Sequence, residues 1–494
     1  MVSRAGYIRW GAFTLAVMVM LTGAGLWAGY HFYYVFEESP QWFRWRYQWV
    51  SQPEVYTDRW GYLPGDTVVV YASAGRGTSQ LLLYDIMLRD TVYQGQVMTT
   101  RQPLAQHPSV HGTGWVPACY LPLRSSLSPG WYVLEIIQGT QAARTTVLIQ
   151  PREVSRRVAL ILSVNTWNAY NPWGGQSLYS RRYTPVVSFR RPQPLSDPFI
   201  PNTWSNHQLY YQAANKDRYL ATWLDTTGVG YDVYTDIDLE TGNPALRQYD
   251  VLILSTHSEY WSWRMLTHLN ACLDSGASLL VLAGNVCAYI SRYDTALATL
   301  TVHKRQDQLW ENADSAGIRP FGLQYDYLGF HTYAPYQITT DSTWMLTGTG
   351  LHRDSLLGRW SDTYDYTYMY DTWWRNLLGL RNRGKMGAAS GLEIDRRYAG
   401  TPEDWISVAT GLNPRTEGHG EVYPDPAQVW SPGTGADMGY YIHRGGGMVF
   451  NVGSMAFTGA LPYDPALRQL LHNVMQRCLA QAPTIRRATA QSGQ

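Results

Sequence analysis

The stretch Asp250–Trp261, DVLILSTHSEYW, constrains this chain more than any other. It opens with an unbroken apolar run, Val251–Leu254, and ends by presenting His257, Glu259, Tyr260 and Trp261. A short continuous apolar run reads as a strand buried on both faces, the kind found inside a parallel sheet. In open α/β sheets ligands bind just outside the carboxyl ends of strands. A His and a Glu one residue apart at such an end stand where chemistry is usually done. If the segment stays extended, alternate side chains point the same way, and His257 and Glu259 share a face.

Other apolar runs follow the same grammar. Val158–Val164 leads into Asn165, Thr166 and Trp167; Ser278–Ala283 into Gly284 and Asn285; Met448–Val452 into Gly453 and Ser454. Helical patterns fall around Leu209–Thr226, Trp261–Leu273 and Pro465–Leu479, and Tyr231–Thr235 is a further strand. Strands alternating with helices predict βαβ units and a mostly parallel sheet, with several strand ends facing one crevice. Upstream, from about Pro53 to Pro151, short alternating runs are separated by turns such as Pro64-Gly65-Asp66 and predict an antiparallel β-sandwich. The fold class expected is therefore α/β, Rossmann-like or glutamine-amidotransferase-like, preceded by that sandwich.

At 494 residues the chain exceeds one ordinary core. The expected division is a cytoplasmic stub and transmembrane anchor at 1–40, the sandwich at 41–152, the α/β domain at 153–482 and a disordered tail at 483–494. Arg4 and Arg9 precede an apolar run from about Gly11 to Phe36, long enough for a single membrane span with the bulk of the chain extracytoplasmic. A cleaved signal peptide is the competing reading. The aromatic, basic stretch Gln41–Gln52 suits either a membrane interface or packing under the next domain. Charged residues make up only 16% and the net charge is +1, which argues against a nucleic-acid partner. Cys272 and Cys287 read as buried free thiols, and no Cys sits at a strand–helix elbow as an amidotransferase nucleophile would.

Asn165–Tyr179, NTWNAYNPWGGQSLY, is the second informative stretch. Gly174 and Gly175 permit a tight loop. Tyr170 and Tyr179 can turn back over the crevice, although two tyrosines in such a loop are most often packing residues. In GLEIDR (Gly391–Arg396), Glu393 and Asp395 alternate on a short strand, and the ordinary reading is a pair of solvated edge carboxylates.

Together NTWNAYNPWGGQSLY, VVSFRRP (Val186–Pro192), THSEYW (Thr256–Trp261) and AGN (Ala283–Asn285) resemble the large, catalytic subunit of N,N-dimethylformamidase and its relatives. Gly112–Tyr132, GLEIDR and GGGMVFNVGS (Gly445–Ser454) fit the same pattern, over about Val55 to Leu479. The resemblance implies a mononuclear, ferric iron held by two tyrosines and a glutamate. Carried over, Glu259 is the carboxylate ligand, Tyr170 and Tyr179 the phenolates, and His257 and Asn285 the neighbouring polar pair; Tyr183, Tyr210 and Tyr211 are the alternative phenols. Hard oxygen donors suit a hard ferric ion. The implied activity is hydrolysis of a small amide by an iron-bound hydroxide. His257 would carry protons, Asn285 would donate to the oxyanion, and Trp167, Trp173, Tyr260 and Phe450 would wall the pocket. A homo-oligomer or an accessory subunit is compatible with this. The alternative is a non-catalytic extracytoplasmic protein that binds a glycan or protein partner.

Overall fold

The computed structural model describes residues 18, 40–49, 52–180, 184–200, 214–304, 309–310, 319–341, 343–364, 386–416 and 433–492. Its centre is a nine-stranded sheet. In spatial order the strands are Tyr231–Thr235, Val158–Leu162, Val251–His257, Ser278–Gly284, Met448–Asn451, Asp437–Ile442, Ile406–Gly411, Tyr336–Ile338 and Leu356–Leu357. The first five run parallel and the remaining pairings are antiparallel.

The apolar runs are explained by cover on both faces. Leu160, Ile253, Leu280 and Phe450 belong to one core, with the helices Ala214–Thr226 and Pro465–Ser492. Ile161, Leu252, Leu254, Leu279 and Val449 belong to the other, with the helix Trp263–Asp274. Ser262 starts that last helix by accepting the Met265 amide on its hydroxyl, 3.0 Å. Each fully buried Leu or Ile here contributes about 1.5–3 kcal/mol.

Residues 54–149 form two further sheets. Glu54–Thr57, Thr67–Ser73 and Cys119–Pro122 make one; Gly61–Tyr62, Gln141–Ile149, Gly130–Gln138, Gly77–Asp85 and Thr91–Thr99 make the other. Val68, Val70, Leu81, Leu134, Ile136 and Val147 fill the space between them. The helix Pro40–Trp49 buries Tyr47 against Trp115 and Trp173 and leaves Trp45 and Trp49 exposed.

Two expectations are corrected. The chain is mostly β, with a mixed central sheet and several smaller sheets, and not a Rossmann-like or amidotransferase-like parallel fold. The antiparallel strands come from 336–442, where runs are short and broken by Gly, so no periodicity announced them. An apolar run reports burial on both faces and does not report the direction of the strand beyond its neighbour. The single-pass membrane assignment is not supported: among the described residues no helix is long and apolar enough to cross a membrane. The run 11–36 on which it rested lies outside the described residues apart from Met18. The helix from Pro465 continues to Ser492, through the stretch expected to be disordered. All four cysteines are free, with Cys272 and Cys287 buried.

Gly284 closes the Ser278–Gly284 strand where three chain segments meet. A Cβ there would lie 2.4 Å from the Glu393 carbonyl oxygen and 2.4 Å from the Met455 amide nitrogen. Both obstacles are backbone and cannot rotate away. Gly284→Ala should therefore lower stability by about 3 kcal/mol, measured by urea unfolding; a loss under about 0.5 kcal/mol, the size of an ordinary surface change, would refute this packing.

Candidate functional site

The site lies beyond the carboxyl ends of Val251–His257 and Ser278–Gly284, which pair in parallel with His257 opposite Gly284. Past His257 the chain turns and is gripped along its backbone. The Glu259 amide donates to Thr166 Oγ1 at 3.1 Å, and its carbonyl accepts from the amides of Ala288 (2.9 Å) and Tyr289 (3.1 Å). The Ser258 carbonyl accepts from the Cys287 amide at 2.8 Å. His257 and Glu259 do share a face, with His257 Nε2 3.6 Å from Glu259 Oε2. The strand ends at His257, so Glu259 lies beyond its regular alternation, and Thr256, just before His257, is left-handed (φ 53°). Asn285 (φ 51°) and Leu392 (φ 67°), which precedes Glu393, are left-handed too. Non-glycine residues in that region cost about 1–3 kcal/mol each and persist only where the surroundings impose them.

The second wall is the loop after the short helix Val164–Tyr170. Gly174 (φ 94°) approaches the backbone of Ser109 so closely that a Cβ would lie 2.7 Å from its amide nitrogen. Arg191, fully buried, holds the loop by main-chain oxygens. Its guanidinium donates to the carbonyls of Ser188 (2.9 Å), Asn168 (3.1 Å), Gln176 (3.2 Å) and Trp173. Burial alone lowers its pKa to about 9. This clamp accounts for the joint presence of VVSFRRP and NTWNAYNPWGGQSLY.

The loop delivers Tyr170 and Tyr179 to Glu259. The Tyr179 hydroxyl lies 2.5 Å from Tyr170 Oη, 2.9 Å from each Glu259 oxygen and 2.7 Å from Tyr260 Oη. The phenol rings of Tyr170 and Tyr179 stack at 4.0 Å. Tyr179 is 41% exposed as a residue, but its hydroxyl sits in this cluster. Burial of the cluster, reinforced by the Glu259 charge, pushes both phenols well above their ordinary pKa. Lys304 caps the group, its Nζ 3.1 Å from the centre of the Tyr179 ring and 3.9 Å from Glu259 Oε1. Burial lowers Lys304 to about 8 against the pull of Glu259 and Glu393.

Glu393 and Asp395 are not solvated edge carboxylates. Glu393 Oε2 lies 2.9 Å from His257 Nε2 and accepts from Asn285 Nδ2 at 3.0 Å. Asp395 accepts from the amides of Asn285 (2.8 Å) and Val286 (3.3 Å), and burial raises it to about 7. Burial works against a charged His257, but the Glu393 and Glu259 carboxylates prevail and hold it above its ordinary value. Burial would likewise raise Glu393, yet His257 and Asn285 leave it lowered.

A cavity of about 510 Å³ opens over these groups. Its lining includes Tyr170, Tyr179, Glu259, Asn285, Lys304 and Glu393, while His257 lies behind Glu259 and Glu393 and is not among the lining residues. The expected aromatic walls do not line it. Trp167 and Phe450 are core residues, and Trp173 packs with Tyr47, Tyr56 and Trp115. Tyr260 contributes its hydroxyl, and Tyr289, Tyr325, Tyr327 and Phe330 supply the rings. Lys304 carries no motif-level signal as a site group; Tyr260 belongs to THSEYW but joins through its hydroxyl rather than as a wall, and Glu393 is visible only as a member of GLEIDR. Tyr183, Tyr210 and Tyr211 lie outside the described residues. Among the described residues no three His, Cys, Asp or Glu side chains are grouped to hold a metal ion, so the oxygen cluster is mainly phenolic.

Residues 83–470 match the family described as N,N-dimethylformamidase beta subunit-like, C-terminal. The N,N-dimethylformamidase beta subunit of Paracoccus aminophilus is 25% identical over 295 residues, 54% of this chain and 37% of that protein. The protein of the same name from an Alcaligenes species is 25% identical over 302 residues, 55% of this chain and 37% of its own length. The match thus spans little more than a third of either relative, and both are named beta subunits rather than large, catalytic subunits. Among solved structures, the mmIFT52 N-terminal domain aligns with 52% of this chain and 89% of its own at 13% identity and a TM-score of 0.25, which carries no argument.

Two predictions follow from the geometry. His257, raised in the folded state, adds stability that is complete below its ordinary 6.5 and fades as pH rises through the raised value. Glu393, lowered, adds stability above its ordinary 4.5 that fades as pH falls through the lowered value. The pair therefore stabilises most between the two, and Glu393→Gln should move the His257 titration down, read by ring-proton NMR. An unmoved titration would exclude the pairing. Arg191→Lys keeps the charge but not the fork, and should cost about 2–4 kcal/mol through stranded carbonyls, visible as a lower thermal midpoint.

Proposed function

The chain belongs to the N,N-dimethylformamidase beta subunit-like family, and from that membership we propose that it hydrolyses an amide or related non-peptide carbon–nitrogen bond at the crevice floor formed by Tyr170, Tyr179 and Glu259. The observation that carries this reading is the convergence of two phenols and a carboxylate beside a histidine–carboxylate pair, within one cavity. The activity in the relatives' name belongs to those proteins; its extension here is ours.

Tyr170, Tyr179 and Glu259 fit a mononuclear ferric ion. They are hard oxygen donors. Their oxygen spacings of 2.5–2.9 Å are those of neighbouring ligands around one ion at bond lengths of about 2 Å. Their raised phenol pKa values keep them protonated unless a strong positive charge is near, and a metal ion inverts that preference. When bound there, such an ion supplies Lewis acidity and acidifies water.

The chain's own groups account for proton movement and orientation. His257 Nε2 stands between Glu259 and Glu393, placed to take a proton from water and pass it to the departing nitrogen. Glu393 orients the ring and stabilises its charged form. Asn285 has its amide nitrogen on Glu393 and so serves to position the His257–Glu393 pair; we do not assign it to the oxyanion. Lys304, beside Glu259, supplies the positive charge for the carbonyl oxygen as it becomes anionic. Because the relatives are subunits by name, we propose a partner subunit for this chain as well.

Metal analysis of the purified chain tests the reading. Iron near one equivalent, reduced at least tenfold in Glu259→Ala and in Tyr179→Phe while both variants stay folded, is the expected result. Equal metal content in wild type and variants would remove these residues from any metal site.

A further inference from the structure

Arg319 lines the same cavity as Glu259 and Lys304 but takes no part in the cluster on its floor. The residue is partly buried, and its Nε is shielded from solvent with no hydrogen-bond partner among the described residues. The acids near it have hydrogen-bond partners of their own. Asp326 is ion-paired with Arg396 at 3.1 Å, and Asp395 accepts two backbone amides. The guanidinium also lies 5.7 Å from the centre of the Tyr398 ring, and its charge reaches the Asp395 carboxylate without a hydrogen bond to its Nε. A shielded guanidinium nitrogen left without an acceptor is costly unless a ligand completes it.

The cavity also has room beyond the floor. Its volume of about 510 Å³ falls in the range that takes drug-sized ligands, and an amide as small as dimethylformamide would leave most of it to water. Tyr289, Tyr325 and Phe330 add apolar wall to the same space.

We propose that the substrate is an amide that carries a carboxylate, of the N-acylated amino acid class, with the carboxylate held by Arg319 and the amide over the Tyr170–Tyr179–Glu259 floor. This rests on the hydrolase reading above. The guanidinium fork matches a carboxylate in shape and charge. Hydrolysis breaks the amide C–N bond and joins the water oxygen to the carbonyl carbon. A water proton goes to the departing nitrogen, and the carboxylate on Arg319 leaves unchanged with the amine.

The test compares N-formylphenylalanine with its neutral methyl ester, in the full iron-loaded chain and in Arg319→Gln and Arg319→Lys variants of matched thermal midpoint. Amine release and calorimetric binding are both read. Wild type should favour the carboxylate in kcat/KM by roughly ten- to a hundredfold, Arg319→Gln should abolish the preference and Arg319→Lys should retain part of it. Equal rates on the two compounds, or a preference that survives Arg319→Gln, overturns the proposal. Binding of N-formylphenylalanine that depends on Arg319 without any amine release would uphold the anion site and defeat the hydrolase reading. Binding that ignores Arg319 would defeat the anion site alone. Should Arg319→Gln fail to fold, Arg319→Lys decides: a preference reduced from wild type upholds the proposal and an unchanged preference overturns it.

Discussion

The site depends on burying one carboxylate, Glu259, to 2% exposure among groups that meet both of its oxygens. Burying an ionised carboxylate without compensation costs far more than any single hydrogen bond returns. Here the compensation is local and layered. The Tyr179 hydroxyl reaches both oxygens, Lys304 lies beside one and His257 beside the other. Each of those groups is in turn fixed by something else: Tyr179 by the loop that Arg191 clamps, His257 by Glu393, and the Glu259 backbone by Thr166 and Ala288. The near-complete burial of Glu259 and His257 raises the strength of the charge interactions between them.

The readable part of the fold was the part whose side chains are apolar on both faces. Val158–Leu162, Val251–His257, Ser278–Gly284 and Met448–Asn451 are adjacent parallel strands, and their polar ends gather as the runs suggested. The antiparallel half of the sheet was unreadable because strands such as Asp437–Ile442 contain Gly and Tyr and alternate poorly. The nine-stranded, β-rich architecture therefore differs from the doubly wound fold that the apolar runs alone suggest. The apolar N-terminal run argued for a span, and the described residues contain none.

At the site, residues that act through a local motif were legible and residues that act from afar were not. His257 and Glu259 stand together in THSEYW, and Tyr170 and Tyr179 in one loop. Lys304 and Glu393 arrive from separate segments, and nothing near them in sequence marks a charge destined for burial. Their partners are more than a hundred residues away in the case of Glu393 and Asn285. Alternation on a short strand predicts which way Glu393 points but not whether water is there. The family match over 83–470 takes in every residue of this cluster.

The left-handed residues have a consequence for how such a protein can change. Thr256, Asn285 and Leu392 each sit at or beside a side chain of the cluster, and a glycine would adopt the same angles without steric penalty. Adaptation towards heat tolerance would therefore find easy gains at these positions. Each gain would also release the backbone that aims His257, Asn285 and Glu393, and looser aim is a loss of reactivity. On the hydrolase reading proposed above, the cluster marks where selection for durability and selection for turnover pull against each other.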